Sequence, residues 1–174
     1  PAPLVEEIMQ IIDETMKDAR NLSFELFPPV LQEIGLEAAL TWLMRKYTER
    51  TGLAGHVRVE GEGEELPPDL RAQAYQSVRE LLTNVHKHAA ATEVTVTVSH
   101  GDSYQTLIVE DDGRGFEIER DDARAPRLRG SEGFGLFSIR ERMRSVDGRM
   151  LVDSAPGEGC RVFLSFPVPA PQEK

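Results

Sequence analysis

The chain has 174 residues, of which 40% are hydrophobic, 29% charged and 6% aromatic, and its formal net charge is −10 at pH 7. That length is enough for one domain with a buried core and an attached segment. The acidity argues against a nucleic-acid partner, because a protein that binds nucleic acid needs a basic surface. Cys160 is the only cysteine, which excludes an internal disulfide and a cysteine-based metal cluster and favours a reducing, cytoplasmic location.

No apolar run approaches the roughly 20 residues needed to cross a bilayer. If a parent protein is membrane-bound, its spans are therefore expected outside this chain. The chain opens directly into a helix-like pattern, and apolar or small residues recur at spacings of three and four from Leu4 to Leu26. This stripe predicts an amphipathic helix of the bundle or coiled-coil type, which Pro28 and Pro29 terminate.

The central part of the chain predicts two more helices and a first strand. One helix follows Gly35 and carries its apolar residues on one side: Leu36, Ala39, Leu40, Leu43 and Tyr47. Val57-Arg58-Val59 predicts a short strand. A third helix begins at Pro67-Pro68-Asp69, because proline is tolerated in a first helical turn. Its predicted buried stripe is Leu70, Ala74, Val78, Leu81, Leu82 and Val85.

The remaining segments predict four strands, a long loop and a fourth helix. Their predicted order is Val94–Val98 and Leu107–Val109 as an antiparallel hairpin, a loop over Gly113–Gly135, a helix over Leu136–Val146 capped at Asp147-Gly148, and strands at Met150–Ser154 and Arg161–Phe166. Helices alternating with mostly sequential strands favour an α/β fold. The expected architecture is a two-layer sandwich of a mixed, mostly antiparallel sheet against helices.

Three segments contain residues that could carry chemistry, and the first lies on the third predicted helix. On a regular helix Glu80, Asn84, Lys87 and His88 share one arc beside the buried stripe. An oxygen-rich set of this kind can hold Mg²⁺ together with phosphates and water. The alternative for this segment taken alone is a solvated polar face.

The other two segments are glycine-containing. In Asp111-Asp112-Gly113-Arg114-Gly115, at a strand end, a buried carboxylate could accept a hydrogen bond from an amine such as adenine N6, and the glycines allow close approach. Gly133-Phe134-Gly135-Leu136 leads into a helix, whose free N–H groups and dipole favour a phosphate. Each segment alone could equally be an ordinary turn or helix start without a ligand.

Read in order, the segments Glu80–Ala89, Asp111–Phe116 and Gly133–Leu136 resemble the asparagine box and the two glycine boxes of one superfamily. This is the Bergerat-fold ATPase group of histidine kinases, gyrase-type topoisomerases, mismatch-repair ATPases and heat-shock chaperones. The resemblance runs from about Leu66 to Pro167. Within the group, the chain resembles sensor histidine kinases of the nitrate-sensor type in detail. The segments that carry this resemblance are Asn84–Ala89, Gly135–Leu136, Ile139–Met143, Ser154–Gly159, Leu22–Pro28 and Gly35–Leu40.

The resemblance implies a role for each matching residue. Asn84 would coordinate Mg²⁺, Asp111 would bind the adenine amine, and Glu80 would position or polarise the attacking group. Gly113 and Gly115 would let the base pack closely. Residues 116–132 would form a lid, with Gly133, Gly135 and Leu136 at its hinge and in contact with the phosphates. Lys87, His88 and Arg140 would lie near the phosphates. A surface role for Arg140 is left open. Cys160 stands where the family often has threonine.

The resemblance also implies a domain organisation and a reaction. Residues 1–27 would be the second helix of a dimerisation hairpin, residues 28–169 the ATP-binding catalytic domain and residues 170–174 a tail. ATP would be the phosphoryl donor, a histidine the acceptor, and a cognate response regulator the final recipient, with the full-length kinase a homodimer. None of His56, His86, His88 and His100 lies in the context expected of the acceptor, so little autophosphorylation by this chain alone is expected. The alternatives are an anti-sigma-factor-like serine kinase and an ATP-regulated binding module.

Overall fold

The computed structural model describes residues 8–9, 11–12, 29–118 and 133–168. Of the predicted N-terminal helix only Ile8, Met9, Ile11 and Ile12 are described, and all four are helical. The rest of that helix, residues 119–132 of the predicted lid and the predicted tail lie outside the described residues.

From Pro29 onward the described residues form four helices, a π-helical turn and five strands. In chain order these are α1 (Pro29–Glu33), α2 (Leu36–Thr51), β1 (Ala54–Glu60), α3 (Pro68–Asn84), the π-turn (Val85–Ala89), β2 (Glu93–His100), β3 (Tyr104–Asp111), α4 (Gly133–Arg144), β4 (Arg149–Ser154) and β5 (Cys160–Pro167). All five strands form one sheet in the order β1-β2-β3-β5-β4.

The sheet is mixed and mostly antiparallel, as predicted. Only β1 and β2 pair in parallel, and the other three pairs are antiparallel. The parallel pair follows from the connection between its strands, since α3 crosses over from the end of β1 to the start of β2. This connection brings the end of α3 close to the end of β3, where Asp111 pairs with Val94 and the N–H of Arg114 donates to the carbonyl of Ala89 at 2.8 Å.

One face of the sheet is buried under the helices. Alternate strand residues have exposed fractions of 3% or less and form the core with the apolar sides of α2, α3 and α4: Val94, Val96, Val98, Leu107, Val109, Val162, Leu164 and Phe166. The opposite face carries a cross-strand row of Thr97, Ile108, Phe163 and Leu151, and Leu151 is 63% exposed. A sheet covered on one side confirms the predicted two-layer sandwich.

Two helices differ slightly from their predicted outlines. In α2 Met44 is fully buried and Leu43 only partly. Helix α4 begins at Gly133, three positions before the predicted start, and ends at Arg144. The predicted cap is formed by Asp147 in the left-handed region (φ 54°) and by Gly148, whose N–H donates to the carbonyl of Met143 at 2.9 Å.

Candidate functional site

A cleft lies between α3 with its π-turn, the end of β3 and the start of α4. It has a volume of about 610 Å³ including its open mouth, and its walls are mostly apolar. The residues around it are Leu81, Asn84, Val85, His88, Ala89, Val109, Asp111, Arg114, Gly115, Phe116, Leu136, Cys160 and Val162. A cleft of this size and composition, with a few convergent polar groups, suits a small planar ligand. All three predicted motifs therefore contribute to one cavity.

The π-turn changes the predicted arrangement of the helical motif. From Val85 to Ala89 the helix is wound more loosely than an α-helix, so the residues after Asn84 do not continue on the regular wheel. His88 lines the cleft, whereas Lys87 is exposed and is not among the lining residues. The expectation that Lys87 and His88 share one arc with Asn84 therefore applies to His88 only. Nothing in the apolar periodicity signals the extra residue.

The two adjacent aspartates have different surroundings. Asp112 accepts hydrogen bonds from the backbone N–H groups of Thr92 (2.8 Å) and Glu93 (2.9 Å), so its carboxylate fastens the start of β2 to the end of β3. Asp111 is 8% exposed, lines the cleft and accepts one bond, from the N–H of Gly113 at 2.9 Å. Only Asp111 is placed to accept a further bond from a ligand in the cleft.

The pKa values of the two carboxyl groups are shifted in opposite directions. Burial raises the pKa of Asp111, and the neighbouring negative charges of Asp112 and Glu110 raise it further, whereas the hydrogen bond from the N–H of Gly113 lowers it. The pKa of Asp112 is lowered, chiefly by the hydroxyl of Thr92 and then by the backbone N–H donors. A desolvated carboxylate gains more from an incoming donor than a solvated one does.

Gly113 and Gly115 are required for different reasons. A Cβ at Gly113 would lie 2.7 Å from both the Cβ of Ala89 and Oδ1 of Asp111, so space alone excludes a side chain there. Gly115 has φ 57°, and a Cβ there would overlap the carbonyl oxygen of Ala155. Gly115 therefore serves a positive φ, whereas Gly113 provides space. The loop is held by the hydroxyl of Ser154, which accepts from the N–H of Phe116 at 3.0 Å.

The start of α4 contacts the polar side of α3. A Cβ at Gly135 would lie 3.0 Å from Nδ2 of Asn84 and 3.0 Å from Oε1 of Glu80, so only a glycine lets the helices approach this closely. The Nδ2 atom of Asn84 is buried and has no hydrogen-bond partner among the described residues. Leu136 is 7% exposed and lines the cleft. Arg140 lies one turn further along α4, partly buried, and is not a lining residue.

The other histidines make structural contacts. Nε2 of His100 lies 2.8 Å from Oε1 of Glu37, which connects β2 to α2. Nε2 of His56 lies 3.5 Å from a carboxylate oxygen of Glu93 on the neighbouring strand. The ring of His86 meets that of Tyr47 edge-on, with centroids 6.5 Å apart.

Cys160 lies directly opposite Asp111 across the β3–β5 ladder. Burial, and then the charge of Asp111, raises the pKa of its thiol to about 12. Because only the thiolate is nucleophilic, we expect iodoacetamide to label the native chain at pH 8 at least ~100-fold more slowly than the urea-unfolded chain, whose thiol pKa is about 8.5. Mass spectrometry of timed samples measures both rates. Equal rates would contradict the burial of the thiol, and Cys160→Ser is the blank.

This fold and cleft define the class of the protein, a two-layer α/β domain with a cleft for a small planar ligand. Residues 69–170 match the family described as histidine kinase-, DNA gyrase B-, and HSP90-like ATPases. The match covers more than half of the chain, and the chain belongs to this family. Family membership implies that the domain binds ATP.

Similar curated proteins are named as histidine kinases. The chain is 24% identical over 164 residues to the signal transduction histidine-protein kinase/phosphatase DegS of Brevibacillus brevis, covering 94% of this chain and 40% of that protein. It is 29% identical over 151 residues to the sensor histidine kinase MctS of Rhizobium johnstonii, covering 87% and 32%. It is 30% identical over 171 residues to an uncharacterized sensor-like histidine kinase of Chloroflexus aurantiacus, covering 94% and 28%. The chain thus spans less than half the length of each of these relatives.

Solved structures show the same fold. The blue-light activated histidine kinase of Erythrobacter litoralis matches with a TM-score of 0.61 at 23% identity, over 88% of this chain and 49% of that chain. The histidine kinase AdeS of Acinetobacter baumannii matches with a TM-score of 0.60 at 15% identity, over 92% and 80%. Across the part of the chain that the structure describes, no helix is long and apolar enough to cross a membrane.

Proposed function

We propose that this chain is the ATP-binding catalytic domain of a sensor histidine kinase. It would transfer the γ-phosphoryl group of ATP to a histidine outside this chain, for onward transfer to a cognate response regulator. The observation that carries the proposal is the convergence of Asn84, Asp111 and Leu136, one from each predicted motif, on a single cleft. The names of the similar curated proteins support the same assignment.

Asp111 would recognise the purine. Its carboxylate is fixed by the N–H of Gly113 and would accept the exocyclic amine of adenine with its remaining lone pairs. Val109 and Val162 provide apolar walls beside it. Because guanine presents a carbonyl oxygen where adenine presents an amine, the same carboxylate would disfavour guanine.

Asn84 and Glu80 would face the phosphates and Mg²⁺. Oδ1 of Asn84 and the carboxylate of Glu80 lie side by side and fit a hard cation, because both supply oxygen ligands. The buried Nδ2 of Asn84, which has no hydrogen-bond partner among the described residues, would donate to a phosphate oxygen. Bound Mg²⁺ would neutralise phosphate charge. Glu80 would position or polarise the attacking imidazole.

The start of α4 would hold the phosphates. Gly133 and Gly135 lie in its first turn, where N–H groups without intrahelical partners face an anion favourably. His88, which lines the cleft, would approach the phosphates from the π-turn. Lys87 and Arg140 would also lie near the phosphates. Most of the rate would come from positioning and charge neutralisation, since phosphoryl transfer requires little covalent work from the protein.

Asn84→Ala should remove the metal dependence of nucleotide binding. We expect Mg²⁺ to tighten ADP binding to the natural chain, whereas the variant should bind ADP with about the same affinity with and without Mg²⁺. In the presence of Mg²⁺ the variant should therefore bind ADP ~10-fold or more weakly than the natural chain. Calorimetric titration in Mg²⁺ or EDTA measures this. Thr83→Ala is the matched control, because its hydroxyl donates to the carbonyl of Arg79 within α3 and lies outside the cleft. Metal dependence retained in Asn84→Ala would rule out the ligand role.

The acceptor is tested by adding a purified helical hairpin from a histidine kinase to this chain with labelled ATP. Label that is acid-labile and base-stable would identify phosphohistidine. The reverse stability would favour a serine kinase. No transfer from a chain that binds ATP would favour a binding module. The dimerisation helix, the domain boundaries and the cytoplasmic location remain predictions.

A further inference from the structure

Strand β4 forms one edge of the sheet, and the N–H and C=O groups on its outer side have no strand partner among the described residues. An edge of this kind can pair with another strand, and folded proteins usually protect it with a bulge, a proline or a charge that disfavours pairing. The register of β4 with β5 runs without interruption from Arg149 to Ser154, and the strand contains no proline. The edge is therefore open to a further strand unless its charges disfavour one.

The exposed side of β4 continues an apolar row across the open face of the sheet. Leu151 lies opposite Phe163, which in turn lies opposite Ile108, and Leu151 at the end of this row is 63% exposed. A single exposed leucine is common. This one, however, lies near the middle of an edge strand, where an apolar residue of a second strand would cover the end of the row.

The residues around Leu151 are self-complementary. Arg149 precedes it and Asp153 follows it by two positions, so all three exposed side chains lie on the same face of the strand. In an antiparallel pair of two β4 strands centred on Leu151, Arg149 would lie opposite the partner's Asp153, and Met150 opposite the partner's Val152. A register shifted by two residues would place Leu151 opposite a charge, and a shift of one residue would bring the two faces of the sheet into opposition.

The charges of Arg149 and Asp153 are both available to a second strand. The guanidinium carbon of Arg149 lies 5.5 Å from the ring centroid of Tyr104, a contact that orients the side chain and leaves its charge in place. Asp153 is the cross-strand neighbour of Arg161, but the guanidinium of Arg161 is bound to Glu110. The ion pairs within the described part of the chain include neither Arg149 nor Asp153.

We propose that β4 is a pairing edge for a second copy of this chain. A twofold axis at Leu151 would join the five-stranded sheets of both copies into one sheet, with an Arg149–Asp153 pair on each side of the apolar centre. Two such short strands bury less area than the ~1,200–2,000 Å² of a stable interface, so isolated copies should associate weakly. In a dimeric full-length kinase, which rests on the proposed function, tethering would raise the effective concentration to about the millimolar range.

A disulfide at the twofold axis tests this pairing, because it traps even a weak dimer. Opposed residues of antiparallel strands have Cα atoms ~4.5–5.5 Å apart, within the range of a disulfide. In the full Cys160→Ser chain under a glutathione redox buffer, we expect Leu151→Cys to form a covalent dimer at least ~10-fold faster than Phe163→Cys. Phe163 lies one strand further from the edge, so its two copies would be ~14 Å apart in the dimer. Non-reducing gel electrophoresis of timed samples measures both rates, each divided by the rate at which iodoacetamide labels the same thiol.

Charge variants test the register. Arg149→Asp and Asp153→Arg each place like charges opposite each other in both pairs, so each should slow the cross-linking of Leu151→Cys at least ~5-fold. Combining both substitutions in one chain restores opposite charges, as does mixing the two single variants, and both should recover the rate within ~3-fold. Rates that do not depend on these charges, or that do not exceed the rate of Phe163→Cys, would overturn the proposal. Because each variant is also titrated with ADP, a chain that binds ADP and does not cross-link would overturn the pairing and leave the proposed function standing.

Discussion

Asp111→Asn should weaken ADP binding by about 100-fold. The substitution keeps the size of the side chain and removes the negative charge that would accept the purine amine. A hydrogen bond to a charged group contributes about 1.5–3 kcal/mol, and the upper end of that range corresponds to ~100-fold in affinity. Calorimetric titration of ADP into the natural chain and the variant, at the same Mg²⁺ concentration, measures the effect.

The fold should survive Asp111→Asn. Asp111 has a higher pKa in the folded chain than in the unfolded chain, so its anion is less favourable in the folded state. The free energy of unfolding therefore falls as the pH rises from the unfolded pKa towards the folded pKa. At pH 7 the group is above that range, and its neutral replacement should leave the melting temperature unchanged or raise it. Lost binding together with a lower melting temperature would count against a direct ligand contact.

Asp112→Asn is the matched control, one residue away. Its carboxylate holds the backbone N–H groups of Thr92 and Glu93 and is not a lining residue of the cleft. Its lowered pKa means that the anion stabilises the folded state above the unfolded pKa and that this contribution is lost as the pH falls. We therefore expect a lower melting temperature at pH 7 with ADP affinity changed less than ~3-fold. The opposite pattern in the two variants would reverse the assignments of Asp111 and Asp112.

Gly159→Ala should cost several kcal/mol of stability and abolish ADP binding in the remaining folded fraction. Gly159 has φ 71°, and a Cβ there would overlap the carbonyl oxygen of Asp111 and lie 3.3 Å from Cα of Asp112. A left-handed conformation costs a non-glycine residue roughly 1–2 kcal/mol, and forcing an atom into packed backbone adds ~1–3 kcal/mol. Urea unfolding measures the total, which we expect to be about 2–5 kcal/mol.

Gly157→Ala separates these two costs. Gly157 lies in the same turn with φ 83°, and nothing lies within 4 Å of a Cβ built there. We therefore expect only the conformational cost of roughly 1–2 kcal/mol, with ADP affinity unchanged. Similar losses of stability in Gly157→Ala and Gly159→Ala would show that the turn, and not its contact with the end of β3, determines the effect.

The sequence was sufficient to predict most of the sheet and the outline of the cleft. The alternation of Val94, Val96 and Val98 predicts both a strand and its buried face, because side chains in a strand alternate between the two faces. The strand containing Val57 was also predicted, but its parallel pairing with β2 depends on a crossover of more than thirty residues, from Glu60 to Glu93. Such a long-range pairing has no local signature.

The details of the cleft were harder to predict. The periodicity of α3 gives no sign of the π-turn, because Val85 is buried on either winding. The two aspartates are identical as residue types, and their different surroundings depend on the N–H groups of Thr92 and Glu93, which lie some twenty residues away in sequence. Arg114 and Phe116 line the cleft because the loop after β3 is fastened to the β4–β5 turn through Ser154. That connection is formed only in the folded chain.

The π-turn makes the cleft sensitive to the number of residues in the chain as well as to their identities. A π-turn can be regarded as an α-helix that contains one additional residue. Deleting one exposed residue from this turn, such as Lys87, could restore a regular helix without loss of a buried side chain. The deletion would nevertheless rotate His88 and Ala89 relative to Asn84 and shift the backbone that contacts Gly113. Insertions and deletions between Asn84 and Glu93 should therefore be tolerated less well than substitutions at the exposed positions of the same segment.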